Sequence, residues 1–190
     1  MPTGVSGGMR LTEEPRNEVL LRKVFEYFVW RLLERHLTPT GWKVEHAKSL
    51  EWQILSESPN LRRYLPGMEA DIRLRSPDGA RVIIVDTKFK NVITTNKWGM
   101  QRFTSANLYQ IFSYVLSQRH RADAPNEAVL LYPVVGQLLS EFAEMPGITL
   151  RFETVDLRKS WREVEADLVH LFQTGTLPLA MTAVGDLSPA

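Results

Sequence analysis

The sequence contains no cysteine. A disulfide scaffold, a Cys-ligated zinc or iron–sulfur centre and a cysteine nucleophile are therefore excluded. The absence of thiols suits a reducing compartment, and a cytoplasmic location is expected. There is no run of ~18 or more apolar residues, so no membrane-spanning helix is expected. Nor is there a marked excess of either charge: Lys and Arg number 23, Asp and Glu 22, a net of +1. Proteins that hold nucleic acid by bulk phosphate neutralisation carry a clear basic excess. Any DNA contact must here be local, or be delivered by a partner. No P-loop, Gly-rich dinucleotide fingerprint or G-x-S-x-G elbow occurs. The four histidines, His36, His46, His120 and His170, show no zinc-ligand spacing.

What remains is an ordinary globular composition: 190 residues, 44% hydrophobic and 24% charged. Domains run to roughly 100–200 residues, so one domain is expected. A Gly/Ser-rich leader over 1–14 and a Pro/Gly/Ala-rich tail over 174–190 flank it, leaving 15–173 as the folded unit. From about Arg16 to His36, Leu20, Leu21, Val24, Phe25, Phe28, Val29, Leu32 and Leu33 recur at helical spacing. Thr38-Pro39-Thr40-Gly41 ends that helix. Trp42–Ser58 suggests strand around Trp42 and Val44, and again around Trp52 and Ile54. The clearest hairpin follows. Glu69–Arg75 alternates, Ser76-Pro77-Asp78-Gly79 has turn chemistry, and Arg81–Val85 is an apolar β-branched run. Asn91–Phe103 reads as a polar loop with Lys97, Trp98 and Arg102. A second helix starts at a Thr104-Ser105 cap and runs to about Gln118, with Leu108, Ile111, Phe112, Val115 and Leu116 inward. Strands over Ala128–Val135 and Ile148–Val155 and a helix over Ser160–Phe172 complete an α/β domain with a mixed central sheet.

The chemistry concentrates on the hairpin. Asp71 is followed, after fourteen residues, by Asp86, and Lys88 lies two further on. Residues two apart on a strand share a face, so Asp86 and Lys88 point the same way. The turn folds Asp71 back to about position 85 or 86, so the two carboxylates are expected to meet on one face. Adjacent carboxylates repel unless a cation intervenes. A hard ion such as Mg²⁺ or Mn²⁺ takes oxygen ligands, binds a phosphoryl oxygen and acidifies a bound water. A lysine beside that water can orient it and stabilise the transition state. These are the parts for hydrolysing a phosphodiester. Each residue alone has an ordinary explanation: Asp86–Lys88 as a solvated pair, Asp71 paired with Arg73 or Arg81. The three together, at the end of a fully apolar strand, favour a site. Gln110 and Tyr114 share a face of the second helix, with Asn107 preceding them. In the first helix Glu26 stands among large apolar groups, within reach of Arg22, and Glu18 is a second acid.

At these residues the sequence resembles the PD-(D/E)XK nuclease superfamily, and Gln110-x-x-x-Tyr114 resembles the motif of its RecB-like branch. Five strings in order, Phe25-Glu26-x-Phe28, Pro66-x-Met68-x-x-Asp71-Ile72, Val85-Asp86-Thr87-Lys88-Phe89, Asn107-Leu108-Tyr109-Gln110 and Leu131-Tyr132-Pro133, resemble the McrC nuclease subunits of McrBC restriction systems. That resemblance implies a restriction-endonuclease-like fold and metal-dependent cleavage of DNA bearing modified cytosine. It implies Asp71 and Asp86 as metal ligands, with the Thr87 carbonyl a third and Glu26 reaching the metal directly or through water. Lys88 would be the catalytic lysine, and Gln110 and Tyr114 would orient the site or touch the DNA backbone. The implied partners are DNA, an McrB-like GTP-hydrolysing AAA+ ring and a second copy on DNA. Ala70 stands where the superfamily often has proline. McrC proteins usually carry a further N-terminal domain that docks into the ring, and this sequence begins almost at the nuclease region. Two other readings remain: an idle DNA-binding or assembly module of the same fold, and a RecB-like general nuclease.

Overall fold

A computed structural model describes residues 16–95, 99–135 and 137–175. The leader, nearly all of the tail, and Lys97 and Trp98 lie outside them. The described chain runs α1 (Arg16–Leu37), a 3-10 turn (Thr38–Thr40), β1 (Lys43–Leu50), a helical turn α2 (Leu61–Tyr64), β2 (Met68–Arg75), β3 (Val82–Thr87), β4 (Ile93–Thr95), β5 (Gln101–Phe103), α3 (Ser105–Gln118), β6 (Glu127–Pro133), β7 (Ser140–Met145), β8 (Ile148–Val155) and α4 (Trp161–Thr174). Six strands form one mixed sheet in the order β1-β2-β3-β6-β8-β7. The β1–β2, β2–β3 and β7–β8 pairs are antiparallel, and β3–β6 and β6–β8 are parallel. The expectation of a mixed α/β sheet flanked by helices holds.

Two cores lie on opposite sides of this sheet. One gathers Phe25, Val29, Leu32 and Leu33 of α1 with Leu168 and Phe172 of α4 against Ile72, Ile83 and Val85. The other gathers Ile111, Tyr114 and Val115 of α3 against Ile84, Leu130 and Phe152. β3 is central and buried along its whole length, as its apolar run requires. The β2–β3 register, with Ile72 opposite Val85, carries Asp71 to the position opposite Asp86.

β1 and β2 change sides part-way along. Ile72 and Leu74 enter the α1/α4 core, but Met68 and Ala70 enter the α3 core. Residues two apart on a regular strand cannot do this, so the ribbon must twist between Ala70 and Ile72. The pairing runs from Lys43↔Arg75 to His46↔Ile72 and resumes at Lys48↔Ala70. At the gap Ala47 has φ 47°, a left-handed value unusual for a residue with a Cβ. Asp71 stands at this twist.

Several expectations need correction. Trp52 and Ile54 are not in strand; the Trp52 indole instead donates to the Pro66 carbonyl at 2.9 Å. Within the segment read as a polar loop over 91–103, Ile93–Thr95 and Gln101–Phe103 pair as the ribbon β4–β5, with Phe103 stacked on Phe152 of the sheet at 3.7 Å. Leu116 is exposed, not inward, and Leu20, Leu21 and Val24 of α1 are exposed despite their helical spacing. On α3 Ile111 and Val115 are inward as expected, and the buried stripe also takes in Asn107, Tyr114, Ser117 and Gln118. Thr104 caps that helix with its carbonyl, not its side chain. Strand β7 had no signal: all of its residues except Met145 are exposed. α4 begins one residue later than expected, because Ser160 is its N-cap in a reciprocal box with Glu163.

Candidate active site

β3 delivers its last residues to the seam between α1 and α3. Thr87 closes the strand, and the Lys88 amide still donates to the Leu131 carbonyl at 2.9 Å, so β6 holds the chain in line. The Phe89 ring then meets Phe25 of α1 edge-on, 5.8 Å between centroids. Lys88 is thereby fixed between two anchored neighbours.

Asp86 is wholly buried. Its Oδ2 lies 2.6 Å from Lys88 Nζ, and neither of its oxygens has a well-directed hydrogen bond. Burial pushes its carboxyl up to about 6; Lys88 pulls the other way, and Asp71 adds to the rise. Lys88 Nζ also donates to Gln110 Oε1 at 2.9 Å, and Gln110 Nε2 donates to the Tyr114 hydroxyl at 2.7 Å. The chain Asp86–Lys88–Gln110–Tyr114 thus runs from the sheet into α3.

Asp71 stands near enough to Asp86 to raise its carboxyl. The twist of β2 brings Asp71 to Thr87, whose amide and hydroxyl both donate to Oδ2 at 2.7 Å. Thr87 points away from Asp86, being its neighbour in a strand. The alternative pairings are not formed: Arg73 is held by Glu45 and Asp123, and Arg81 by Glu127.

A cleft of about 220 Å³ opens here, lined by Val19, Arg22, Lys23, Glu26, Asp71, Thr87 and Lys88. Glu26 of α1 thus shares the cleft with Asp71; Glu18 does not line it. Burial raises the Glu26 carboxyl above its usual value, and Asp71 raises it further. Its Oε1 lies 2.9 Å from His46 Nε2. Asn107 turns elsewhere, donating to the Tyr132 hydroxyl at 2.9 Å. His46 is the residue that sequence reasoning missed. It has no motif, and its partner is twenty residues away on another element.

Among the described residues, no three His, Cys, Asp or Glu side chains converge into a ready-made metal cage. Mg²⁺ does not need one; it commonly takes one or two carboxylates and keeps several waters. The donor set fits such an ion. A buried carboxylate whose Oδ1 has no partner, coupled to a second carboxylate in an open cleft, is a site short of positive charge.

The sequence matches the family described as McrBC 5-methylcytosine restriction system component over residues 19–133, more than half of the chain. The chain belongs to this family. It is an McrC-like member, as the five strings implied. It is also 27% identical over 172 residues, 90% of its length, to the Type IV methyl-directed restriction enzyme EcoKMcrBC of Escherichia coli (strain K12). The match spans 48% of that relative. The matched family segment contains Glu26, Asp71, Asp86, Lys88, Gln110 and Tyr114. Among the described residues, no helix of this McrBC family member is long and apolar enough to cross a membrane.

Proposed function

We propose that this chain is the DNA-cleaving part of a modification-dependent restriction system, with a PD-(D/E)XK-type site that hydrolyses phosphodiesters with Mg²⁺ or Mn²⁺. The observation that carries the reading is the buried, incompletely bonded Asp86 carboxylate beside Lys88, with Asp71 close by. Family membership supplies the restriction context.

Asp86 and Asp71 would hold the divalent ion, with the Thr87 carbonyl as a further oxygen and Glu26 reaching it directly or through water. When bound, that ion supplies charge to a phosphoryl oxygen and an acidified water. The remaining work falls to the chain. Lys88 Nζ, steered by Asp86 and Gln110, presents N–H donors toward the cleft, where the scissile phosphate gains negative charge. Tyr114 holds Gln110, so the lysine has one preferred position. Glu26, raised by burial, can accept a proton at the cleft wall. DNA is the substrate, and the family's description as a 5-methylcytosine restriction system component points to modified cytosine as the trigger. An McrB-like AAA+ GTPase is the expected partner, and two copies would meet for a double-strand break. The near-neutral charge suits a subunit that is handed its DNA.

The test is cleavage of plasmid DNA at low salt with Mg²⁺ or Mn²⁺, wild type beside Asp86→Ala. Weak nicking by the wild type, lost in the variant, is expected. Equal nicking by both would place the chemistry elsewhere.

A further inference from the structure

We infer that His46 is a positioning residue for this site, holding the Glu26 carboxylate in the one orientation that serves the metal. The inference rests on the metal-dependent reading above and deepens it.

His46 lies on β1, outside the cleft, and reaches it only through Glu26. Its Nε2 stands 2.9 Å from Glu26 Oε1. A carboxylate only accepts, so Nε2 carries the hydrogen and donates. The ring is itself held from two sides. It stacks on Trp30 with centroids 4.2 Å apart and planes 11° from parallel, and Tyr27 meets it edge-on at 6.3 Å. Both aromatic partners belong to α1, the helix that carries Glu26. The donor is therefore locked to the frame of the acid that it orients.

Glu26 needs such a partner. It is only partly buried, and a glutamate has three side-chain torsions. Left alone on a helix face it would sample several positions, and ordering it on metal binding would cost entropy. Fixing Oε1 fixes where the other oxygen stands. Imidazole suits the task better than a lysine, because it can donate without bringing a permanent charge that competes with the metal. The left-handed backbone at Ala47 adjoins this residue, at the point where β1 twists between the two cores.

If the pair were only a tie between α1 and β1, the ring stack would suffice. Two variants separate the roles. His46→Phe keeps the stack and loses the donor; His46→Gln keeps a donor at similar reach and loses the ring. Binding of Mn²⁺ to the full chain is measured by calorimetry, with melting temperature recorded for each variant. His46→Phe should stay folded, melting no more than a few degrees lower for the one half-exposed bond lost, but bind Mn²⁺ about 10-fold more weakly, as loss of an orienting partner typically costs about 10–100-fold. His46→Gln should recover most of that affinity. Wild-type affinity in a folded His46→Phe overturns the positioning role. Wild-type affinity in Glu26→Gln does so too, since His46 would then orient nothing of use. If the wild type binds no Mn²⁺, the metal-dependent reading fails, and this role with it; that outcome differs from the other two.

Discussion

Thr87 donates twice to one oxygen of Asp71: its amide and its hydroxyl each lie 2.7 Å from Oδ2. A strand-end residue thus ties down the carboxylate that the twist of β2 swings toward α1. Thr87→Val keeps the shape and the amide bond but removes the hydroxyl. A hydrogen bond to a charged group is worth roughly 1.5–3 kcal/mol. Thermal unfolding should therefore fall by several degrees, and nicking should weaken as Asp71 loosens. An unchanged melting temperature would mean that the amide alone holds Asp71.

Asp86→Asn should separate stability from function. Asparagine imitates the neutral carboxyl, and burial has shifted the native preference toward that form. One pKa unit corresponds to about 1.4 kcal/mol. Removing the charge should leave the metal-free protein as stable as the wild type at pH 7, or stabilise it by roughly 1–3 kcal/mol. DNA cleavage should vanish. A marked loss in chemical denaturation would show that the Asp86–Lys88 pair is structural after all.

Glu45 gives the pH dependence. Burial works against its charge, but bonds from Lys48, Arg73 and Lys43 outweigh it and lower its carboxyl to about 2. A depressed carboxylate stabilises the fold above its unfolded value, here near 4.5, and that stabilisation is lost as pH falls toward 2. Glu45→Gln should be less stable by up to about 3 kcal/mol at pH 7. The gap should close between pH 4.5 and 2. Parallel wild-type and variant stability curves across that range would refute this account.

The Lys88–Gln110–Tyr114 chain predicts a graded series. Lys88→Ala should abolish cleavage. Gln110→Ala should slow it by roughly 10–100-fold, because one of the two groups steering the lysine is gone. Tyr114→Phe, which removes only the partner of Gln110, should slow it several-fold. Single-turnover rates on plasmid DNA would reveal the order, and a Tyr114→Phe defect larger than that of Gln110→Ala would contradict it.

Much of this was readable from the sequence where local pattern and tertiary demand agree. The β2–β3 hairpin announces itself through alternation, a Pro-Asp-Gly turn and an apolar run, and Asp71, Asp86 and Lys88 come with it. Helix α1 was legible as a helix, but its faces were not. Leu20, Leu21 and Val24 fit the same spacing as Phe25 and Val29, and only the sheet decides which of them it covers. Strand β7 pairs through its backbone and buries almost nothing, so its side chains carry no period-two signal. The β4–β5 ribbon is two three-residue strands, too short for periodicity to register. His46 was hidden because its role depends on a helix–strand meeting that no spacing rule encodes.

The twist at Ala47 and Asp71 makes one hairpin a structural member of both cores. Ile72 is locked into one and Ala70 into the other, with a cleft carboxylate between them. Whatever occupies that cleft grips the molecule at its mechanical midpoint. Occupancy should therefore tighten both halves together, and slowed amide exchange should spread to either side of the sheet, where a site embedded in a single core would quiet only its own.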